Sequence, residues 1–507
     1  MKRSRMNGRW IGWAICVAAT ALGLVLRLWD LDRFSPWFDE MLCIFQSERL
    51  GPLVDGSALS NNPPLFYILL HFWGLASRSA WFLRLLPALA GAAAVPLLFV
   101  LGRRLAGNWA GGAAAALLAV SPLHIYYSQE IKMYSLAGTL YVLGLIITHR
   151  LLTKPGLGFA AALGGVWAVM LYTHYYLFMA VFIMNAAVLA GLGRRAFRWL
   201  IMADLTALVL FAPWLHVYFG RHLDLTIGYV SAWIPRPEVQ HIFYTFKNFL
   251  IGFHADNGVY WSAVMIGAPL LVAGVVGALH LPRKDAAVLL VGAFTAQPAI
   301  FLISQVRPLY LDRYFLFTLP LFLLVIATGL RELPRMGRWA CLAGLMLLAL
   351  ITLPAVYSSK IPYPRHIPGE PERLQIREAV DFLRQTMATD DLLFHISRRT
   401  NLSFEFEWPE RGEQHLWAPW VYAKFPRPEQ WFHSELIPEL IQDHVNEGDR
   451  AWVVLVNWPD DPNDPLIIAV RKWLEERAIL LRRESRFTPM LLEYYQFGPM
   501  TEQGRAD

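Results

Sequence analysis

Two adjacent carboxylates, Asp39 and Glu40, follow a Ser-Pro entry in SPWFDEMLCIFQSERL (residues 35–50), and a third, Glu130, stands two residues before Lys132 in YYSQEIKMY (residues 126–134). A carboxylate can take the proton from an attacking hydroxyl, a step worth about 10²- to 10⁴-fold, while nearby cations stabilise a departing phosphate. Arg84, Lys132 and Arg313 are the candidate cations, and His174, Tyr175, Tyr176, Tyr314, Asn61 and Asn62 the candidate hydrogen-bonding groups. Each taken singly has a plainer alternative. An acidic pair in the first turn of a helix is favoured by the helix dipole. Glu130 with Lys132 makes an interfacial ion pair, and Arg84 or Arg313 can simply snorkel to a headgroup boundary. Chemistry requires all of them in one cavity, so the elements that position them decide.

The composition puts those elements in a membrane. The chain has 507 residues, 56% of them hydrophobic and only 17% charged, which is unusual for a globular enzyme. Apolar stretches near helix-spanning length recur from Ile11 to Tyr357, and ordinary densities of Arg, Glu, Asp and Pro follow to Asp507. The net charge of +6 comes from Lys and Arg in short turns between apolar runs, not from a basic stripe interleaved with aromatics, so nucleic acid is not an expected partner. Cys16, Cys43 and Cys341 lie far apart and support neither a disulfide framework nor a metal cluster. The basic start MKRSRMNGRW precedes an apolar stretch with no small-residue cleavage site, which reads as an uncleaved first span.

A bilayer core of about 30 Å needs about 20 helical residues. Candidate spans are residues 10–29, 81–102, 109–127, 133–150, 157–173, 176–192, 199–219, 259–280, 286–305, 314–331 and 339–357, eleven in all. PPLFYILLHFWGLA, from Pro63, is apolar but too short. If it lies at the interface and the N-terminus is cytoplasmic, then Arg103 with Arg104, Lys154, Arg194 with Arg195 and Arg198, Arg283 with Lys284, and Arg331 with Arg335 all face the cytoplasm. If it crosses, all of them move outside. The positive-inside tendency favours the first arrangement. The loop 30–80, the turn holding Glu130, the turn THYY (173–176), the long loop 220–258, the turn RPLYLDRY (307–314) and the tail then share the outer face.

The tail, residues 359–507, alternates helix-like PERLQIREAVDFLRQTM, strand-like DLLFHIS and AWVVLVNW, helix-like DPLIIAVRKWLEERA and strand-like FTPMLLEYYQF. That order predicts a small α/β domain. The expectation is therefore a polytopic α-helical membrane domain over residues 1–358 and a soluble extracytoplasmic α/β domain beyond it.

Six stretches in order, WFDE, NNPPLFYILLHFW, FLRLLPALAGAAAVPLLFVLGRRLAG, SPLHIYYSQEIKMYSL, LYTHYYLF and DRYFLFTLP, give a resemblance over about residues 10–330. The chain resembles bacterial membrane glycosyltransferases of the GT-C fold, the family 39 or PMT-2-like set that includes protein O-mannosyltransferases and lipid A aminoarabinose transferases. The resemblance implies inverting, metal-independent transfer, without a cofactor, from a polyprenyl-phosphate sugar to a glycan, lipid or protein acceptor at the outer face of the bacterial cytoplasmic membrane. It matches Asp39 and Glu40 to the family's acidic pair, with Asp39 as general base, and Glu130 to its second external acid. Lys132 stands where relatives commonly carry Arg, which alters the geometry of a phosphate contact. Asn62-Pro63-Pro64 replaces a His-Pro-Pro or Lys-Pro-Pro element, and Asn brings no charge. Arg313-Tyr314 resembles an external Arg-Tyr element near the donor, and His174 with Tyr175 matches a Thr-His-Tyr turn. Lys132, Arg84 and Arg313 would then hold the donor phosphate, and Asn62, His174, Tyr175 and Tyr314 would line the substrate site.

A transporter or lipid flippase also places acids and cations in a cavity, but the polar groups here gather at one face. A noncatalytic scaffold leaves the external motifs unexplained. Oligosaccharyltransferase is a nearer rival by fold, yet its WWDYG motif is absent.

Overall fold

The computed structural model describes residues 2–54, 62–217, 219, 234–253, 256–358, 374–396, 398–417, 444–456, 465–487 and 490–498. The chain divides into two compact units, one of Met1–Leu31 with Cys43–Gly369, the other of Asp32–Leu42 with Glu370–Asp507. The short segment carrying Asp39 and Glu40 thus clusters with the C-terminal residues and not with the helices that flank it in sequence.

The first unit is a multi-pass helical membrane body. Among the described residues, eight helices are long and apolar enough to cross a membrane: Trp10–Leu28, Ala80–Leu105, Tyr134–Thr153, Phe197–Val217, Asn257–Leu279, Arg283–Ser304, Asp312–Glu332 and Arg335–Val356. The expected span 109–127 is instead a broken pair, Asn108–Val120 and Pro122–Ser128, bent by 59°. The other two expected spans, Leu157–Thr173 and Leu177–Leu192, are shorter apolar helices, and so is Leu65–Gly74, the segment placed at the interface by charge parity. Large apolar side chains such as Val209, Met265 and Val272 remain exposed on the helix surfaces, as a lipid solvent permits. Inside, small residues let backbones meet: a Cβ at Gly274 would fall 2.0 Å from the Val325 carbonyl oxygen, the close approach that membrane helices use.

Contacts distinguish the two ends of this body. At one end Arg331 Nη1 donates to the Ala106 carbonyl at 2.8 Å, and His149 Nε2 meets Asp285 Oδ1 at 3.0 Å. These ties gather the basic turns. At the other end the turns 129–133, 174–176 and 305–311 come together. The region 220–258, expected to be a long loop, contributes the helix Val239–Ile251, which buries Thr245, Asn248 and Phe249. Gly252, at φ +64°, ends it in a conformation that side-chain-bearing residues rarely adopt.

The second unit contains a five-stranded mixed sheet of β1 (Leu392–His395), β2 (His415–Trp417), β3 (Arg450–Val456), β4 (Ala478–Glu484) and β5 (Met490–Phe497), in the order β2-β1-β3-β5-β4. β1 runs parallel to β2 and β3, while β5 is antiparallel to β3 and β4. Both faces are covered. Ala451, Val453 and Leu455 pack with Val470, Trp473 and Leu474 of the helix Pro465–Arg477. Trp452, Val454 and Leu492 pack with Ile376, Val380 and Leu383 of the helix Ile376–Thr386 and with Phe404 of Arg398–Glu407. Double burial explains why β3 reads as an uninterrupted apolar run. Glu493 is fully buried in β5 but bonded to Arg483 at 2.7 Å, Arg471 at 3.2 Å and Tyr495 Oη at 2.8 Å. The edge strand β4 leaves Ile479, Leu480 and Leu481 exposed.

Candidate active site

The turn that follows Ser128 is fixed from two directions. Gln129 Nε2 donates to the carbonyls of Trp29 at 2.8 Å and Arg27 at 3.2 Å, closing the open C-terminal end of the first span. The Lys132 amide donates to the Glu130 carbonyl at 2.6 Å across Ile131, which is completely buried. Glu130 and Lys132 therefore leave the backbone on either side of an apolar anchor. Ser135 and Thr139 donate to the carbonyls of Pro87 and Ala90 at 2.8 and 2.7 Å, which locks the helix Tyr134–Thr153 against Ala80–Leu105. Arg84 lies one turn before Pro87, buried, with Nη1 donating to the Leu31 carbonyl at 2.7 Å.

Three turns then bring their side chains to one hollow, lined by Tyr134, His174, Tyr176, Arg313 and Tyr314 over a floor that includes Leu316 and Phe317. The rings of Tyr134, Tyr176 and Tyr314 lie 5.8, 5.6 and 5.5 Å from that of His174. Tyr176 and Tyr314 approach to 4.2 Å, and the Arg313 guanidinium sits 5.6 Å from the Tyr314 ring centre. The Tyr176 hydroxyl donates to the Leu309 carbonyl, tying two of the turns together. Glu130, Lys132, His174 and Arg313 are only 5%, 7%, 5% and 7% exposed, so ionisable groups are held here against their preference for water.

Electrostatics bind the same groups together. Burial, with Lys132 and Arg313 nearby, pushes the His174 pKa down to about 3. Its Nδ1 accepts the Tyr176 amide proton at 3.0 Å, so the imidazole is neutral and Nε2 carries its proton. Glu130 and Arg313 both lie within electrostatic reach of Tyr127, which stacks edge-on against Tyr134 at 5.4 Å. Arg313, a neutral imidazole and several phenols thus line one hollow, with Lys132 in electrostatic reach of His174 and Glu130 of Tyr127. Such a set can hold an oxyanion through charge-assisted hydrogen bonds.

Beside Arg313, Asp312 accepts from Thr245 Oγ1 and Asn248 Nδ2 of the helix Val239–Ile251, and Tyr310 Oη bonds Thr245 at 2.9 Å. This pins the short turn that presents Arg313. The sequence reading did not single out Asp312, Thr245 or Asn248. The signal is the acid adjoining Arg313 and a periodic polar face, T-x-x-N, in a stretch whose sequence reads as loop.

In the second unit, Asp39 and Glu40 open the helix Phe38–Ser47. Glu40 is buried and its Oε2 accepts the Trp37 amide at 3.2 Å, whereas Asp39 stays half-buried. Of the expected residues, the membrane unit brings Lys132, His174, Arg313 and Tyr314 together, with Glu130 at the Tyr127 side and Arg84 on the adjoining helix turn. Tyr176 lines the hollow and Tyr175 does not. Asn62 is half-buried ahead of Pro63-Pro64, at the start of Leu65–Gly74, and Asn61 lies outside the described residues. Among the described residues no group of three or more His, Cys, Asp or Glu is placed to hold a metal ion.

Residues 61–216 match the family model described as dolichyl-phosphate-mannose-protein mannosyltransferase. The structure of ArnT from Cupriavidus metallidurans bound to undecaprenyl phosphate aligns with 96% of this chain and 99% of its own, with a TM-score of 0.62 at 14% identity. The chain has the GT-C fold of ArnT. ArnT in the apo state gives a TM-score of 0.59 at 13% identity, over 97% of this chain and 99% of ArnT. A second GT-C structure, the archaeal oligosaccharyltransferase AglB from Archaeoglobus fulgidus in complex with an inhibitory peptide and a dolichol-phosphate, aligns over 88% of this chain and 69% of its own at TM-score 0.51 and 12% identity. A comparison with curated proteins finds no match. The GT-C fold thus extends over nearly the whole chain, C-terminal residues included, whereas the family model reaches only the stretch holding Arg84, Glu130, Lys132 and His174.

Proposed function

We propose that this protein is an inverting glycosyltransferase that moves a sugar from a polyprenyl-phosphate donor to a hydroxyl of a glycan, lipid or protein acceptor, at the outer face of a bacterial cytoplasmic membrane. The observation that carries this reading is the hollow in which buried Arg313, Tyr314 and His174 meet, with buried Lys132 in electrostatic reach, in a body with the fold of a protein solved with undecaprenyl phosphate. Lys132, Arg313 and Arg84 hold the donor phosphate, and Glu130 orients the donor or acceptor. Tyr314 and His174, with Asn62, contact substrate.

In the reaction the acceptor hydroxyl gives its proton to the Asp39 carboxylate as its oxygen bonds to the anomeric carbon. The bond from that carbon to the phosphate oxygen breaks, the configuration inverts, and the lipid phosphate leaves with the electron pair. Cations stabilise the charge that develops on the leaving oxygen. Glu40, turned back onto the Trp37 amide, supports the helix start that carries Asp39.

The test is mass analysis of lipid-linked sugars and surface glycans in cells with and without the protein. Loss should cause one polyprenyl-phosphate sugar to accumulate and one glycan modification to disappear. Asp39→Asn should reproduce that pattern, lowering turnover by about 10²- to 10⁴-fold while the protein still inserts. An Asp39→Asn protein with full turnover, or a lipid-linked sugar that merely changes leaflet and is never consumed, would refute the reading. The second outcome would identify a flippase.

A further inference from the structure

The segment Asp32–Leu42, which carries the acidic pair, belongs to the same compact unit as Glu370–Asp507, and that membership has a specific chemical basis. Arg377, in the first turn of the helix Ile376–Thr386, grips Glu407 with two parallel bonds, Nε to Oε2 and Nη2 to Oε1, both 3.2 Å. Its remaining donors reach the acidic segment: Nη1 donates to the Asp32 carbonyl at 2.8 Å and Nη2 to Asp32 Oδ1 at 3.4 Å. Glu407 ends the helix Arg398–Glu407, so one guanidinium joins two helices of the sheet domain to residue 32. Four residues further along, the Pro36 carbonyl accepts from Ser403 Oγ at 2.9 Å, with Ser403 1% exposed.

Two fixed points on either side of Arg33-Phe34-Ser35 define a chain path. Ser35, Pro36, Trp37 and Phe38 then wall a small hollow with Leu374, Ile376 and Ser403. Trp37 in turn gives its amide to Glu40 at the start of the helix holding Asp39. The path from Arg377 and Ser403 to Asp39 is therefore one short stretch of backbone, anchored at Asp32 and Pro36 and tied at Trp37 to Glu40.

We infer that Arg377 and Ser403 are positioning residues: the C-terminal unit is a working part of the transferase because these two side chains set the course of the segment that carries Asp39. The inference rests on the proposed role of Asp39 as base. Pro36 has a fixed φ and no amide proton, so a carbonyl bond is the way to hold it, and Ser403 makes that bond. Lysine replaces Arg377 only in part, since an ammonium has three donors but lacks the planar fork that grips Glu407 with two parallel bonds while reaching Asp32.

Full-length Arg377→Ala, Arg377→Lys and Ser403→Ala proteins in nanodiscs test this through three readouts. Amide hydrogen exchange of peptides covering 32–42 should quicken in Arg377→Ala and Ser403→Ala, while exchange in β3 and β5 keeps its wild-type rate. Sugar transfer should fall by about a hundredfold, the scale of a misplacement near 1 Å, and binding of undecaprenyl phosphate should not change. Arg377→Lys should fall between wild type and Arg377→Ala. Unchanged exchange in 32–42, or exchange that rises equally through the whole sheet, would overturn the positioning role. If Arg377→Ala does not fold, Ser403→Ala decides by the same criteria. A wild-type protein with no transfer activity removes the proposed function; the exchange data then decide whether Arg377 and Ser403 hold the segment.

Discussion

His174 accepts an amide proton on Nδ1 and faces Lys132 and Arg313, so a proton added to it would break one bond and bring a third positive charge into a buried site. Its pKa falls to about 3 in the folded protein, against an ordinary value of 6.5. Between those two values the unfolded chain binds a proton that the native chain refuses, so stability rises with pH through this window and is lost as pH falls from about 6.5 toward about 3. His174→Gln removes that dependence. Thermal unfolding at pH 7 and pH 5 should show a smaller acid-induced drop in midpoint for His174→Gln than for wild type. A second residue-scale expectation concerns Lys132. Lys132→Ala should weaken undecaprenyl phosphate binding by about ten- to a hundredfold, as for loss of a charged hydrogen bond, and titration of the purified protein measures it. Charges at the ends of apolar runs were readable as candidates because their cost in a membrane makes them rare. Tyr134 and Asp312 were not, because a tyrosine at a membrane boundary and an acid next to an arginine each have an ordinary explanation. Only the meeting of three distant turns gives them a role.

The break between Asn108–Val120 and Pro122–Ser128 shows what elements contribute. Ser121-Pro122 interrupts the helix, and Arg27, fully buried in the first span, donates to the freed carbonyls of Leu118 and Ala119 at 3.0 and 3.1 Å and to His124 Nδ1 at 2.9 Å. The tilted second piece then leads into Gln129 and Glu130. It fits because Gly91 has no side chain: a Cβ there would stand 2.1 Å from Ser128 Oγ. Gly91→Ala should lower stability by about 1–3 kcal/mol through overpacking, and adding Ser128→Ala should recover part of it, both read by thermal unfolding. Apolar length revealed that a span existed here but not that it was bent, although Ser121-Pro122 was the signal. In the tail, the helices and strands with strong periodicity were readable. Arg398–Glu407 was not, since RRTNLSFEFE mixes polar and apolar residues without one clear face. β4 was missed because it follows Arg477 directly, with no turn residue to separate helix from strand.

Across the whole molecule the candidate chemistry is divided between two compact units: the cations, His174 and Glu130 in the membrane body, the acidic pair in the unit built around the sheet. Membrane character, the α/β tail and most span positions followed from hydrophobic length and period. The membership of Asp32–Leu42 did not, because it depends on side chains more than 300 positions later, Arg377 and Ser403, which no local pattern links to it. The sheet has a further consequence. β4 forms one rim, and among the described residues no strand pairs with its outer side, where Ile479, at 68%, and Leu481, at 48%, are exposed. A bare rim of this kind is a template for edge-to-edge aggregation, and Arg482 just downstream is the sort of charged residue that keeps copies apart. Ile479→Lys should therefore reduce concentration-dependent light scattering of the purified protein without touching turnover, and preparations kept at low salt, where like charges repel over a longer range, should stay monodisperse longest.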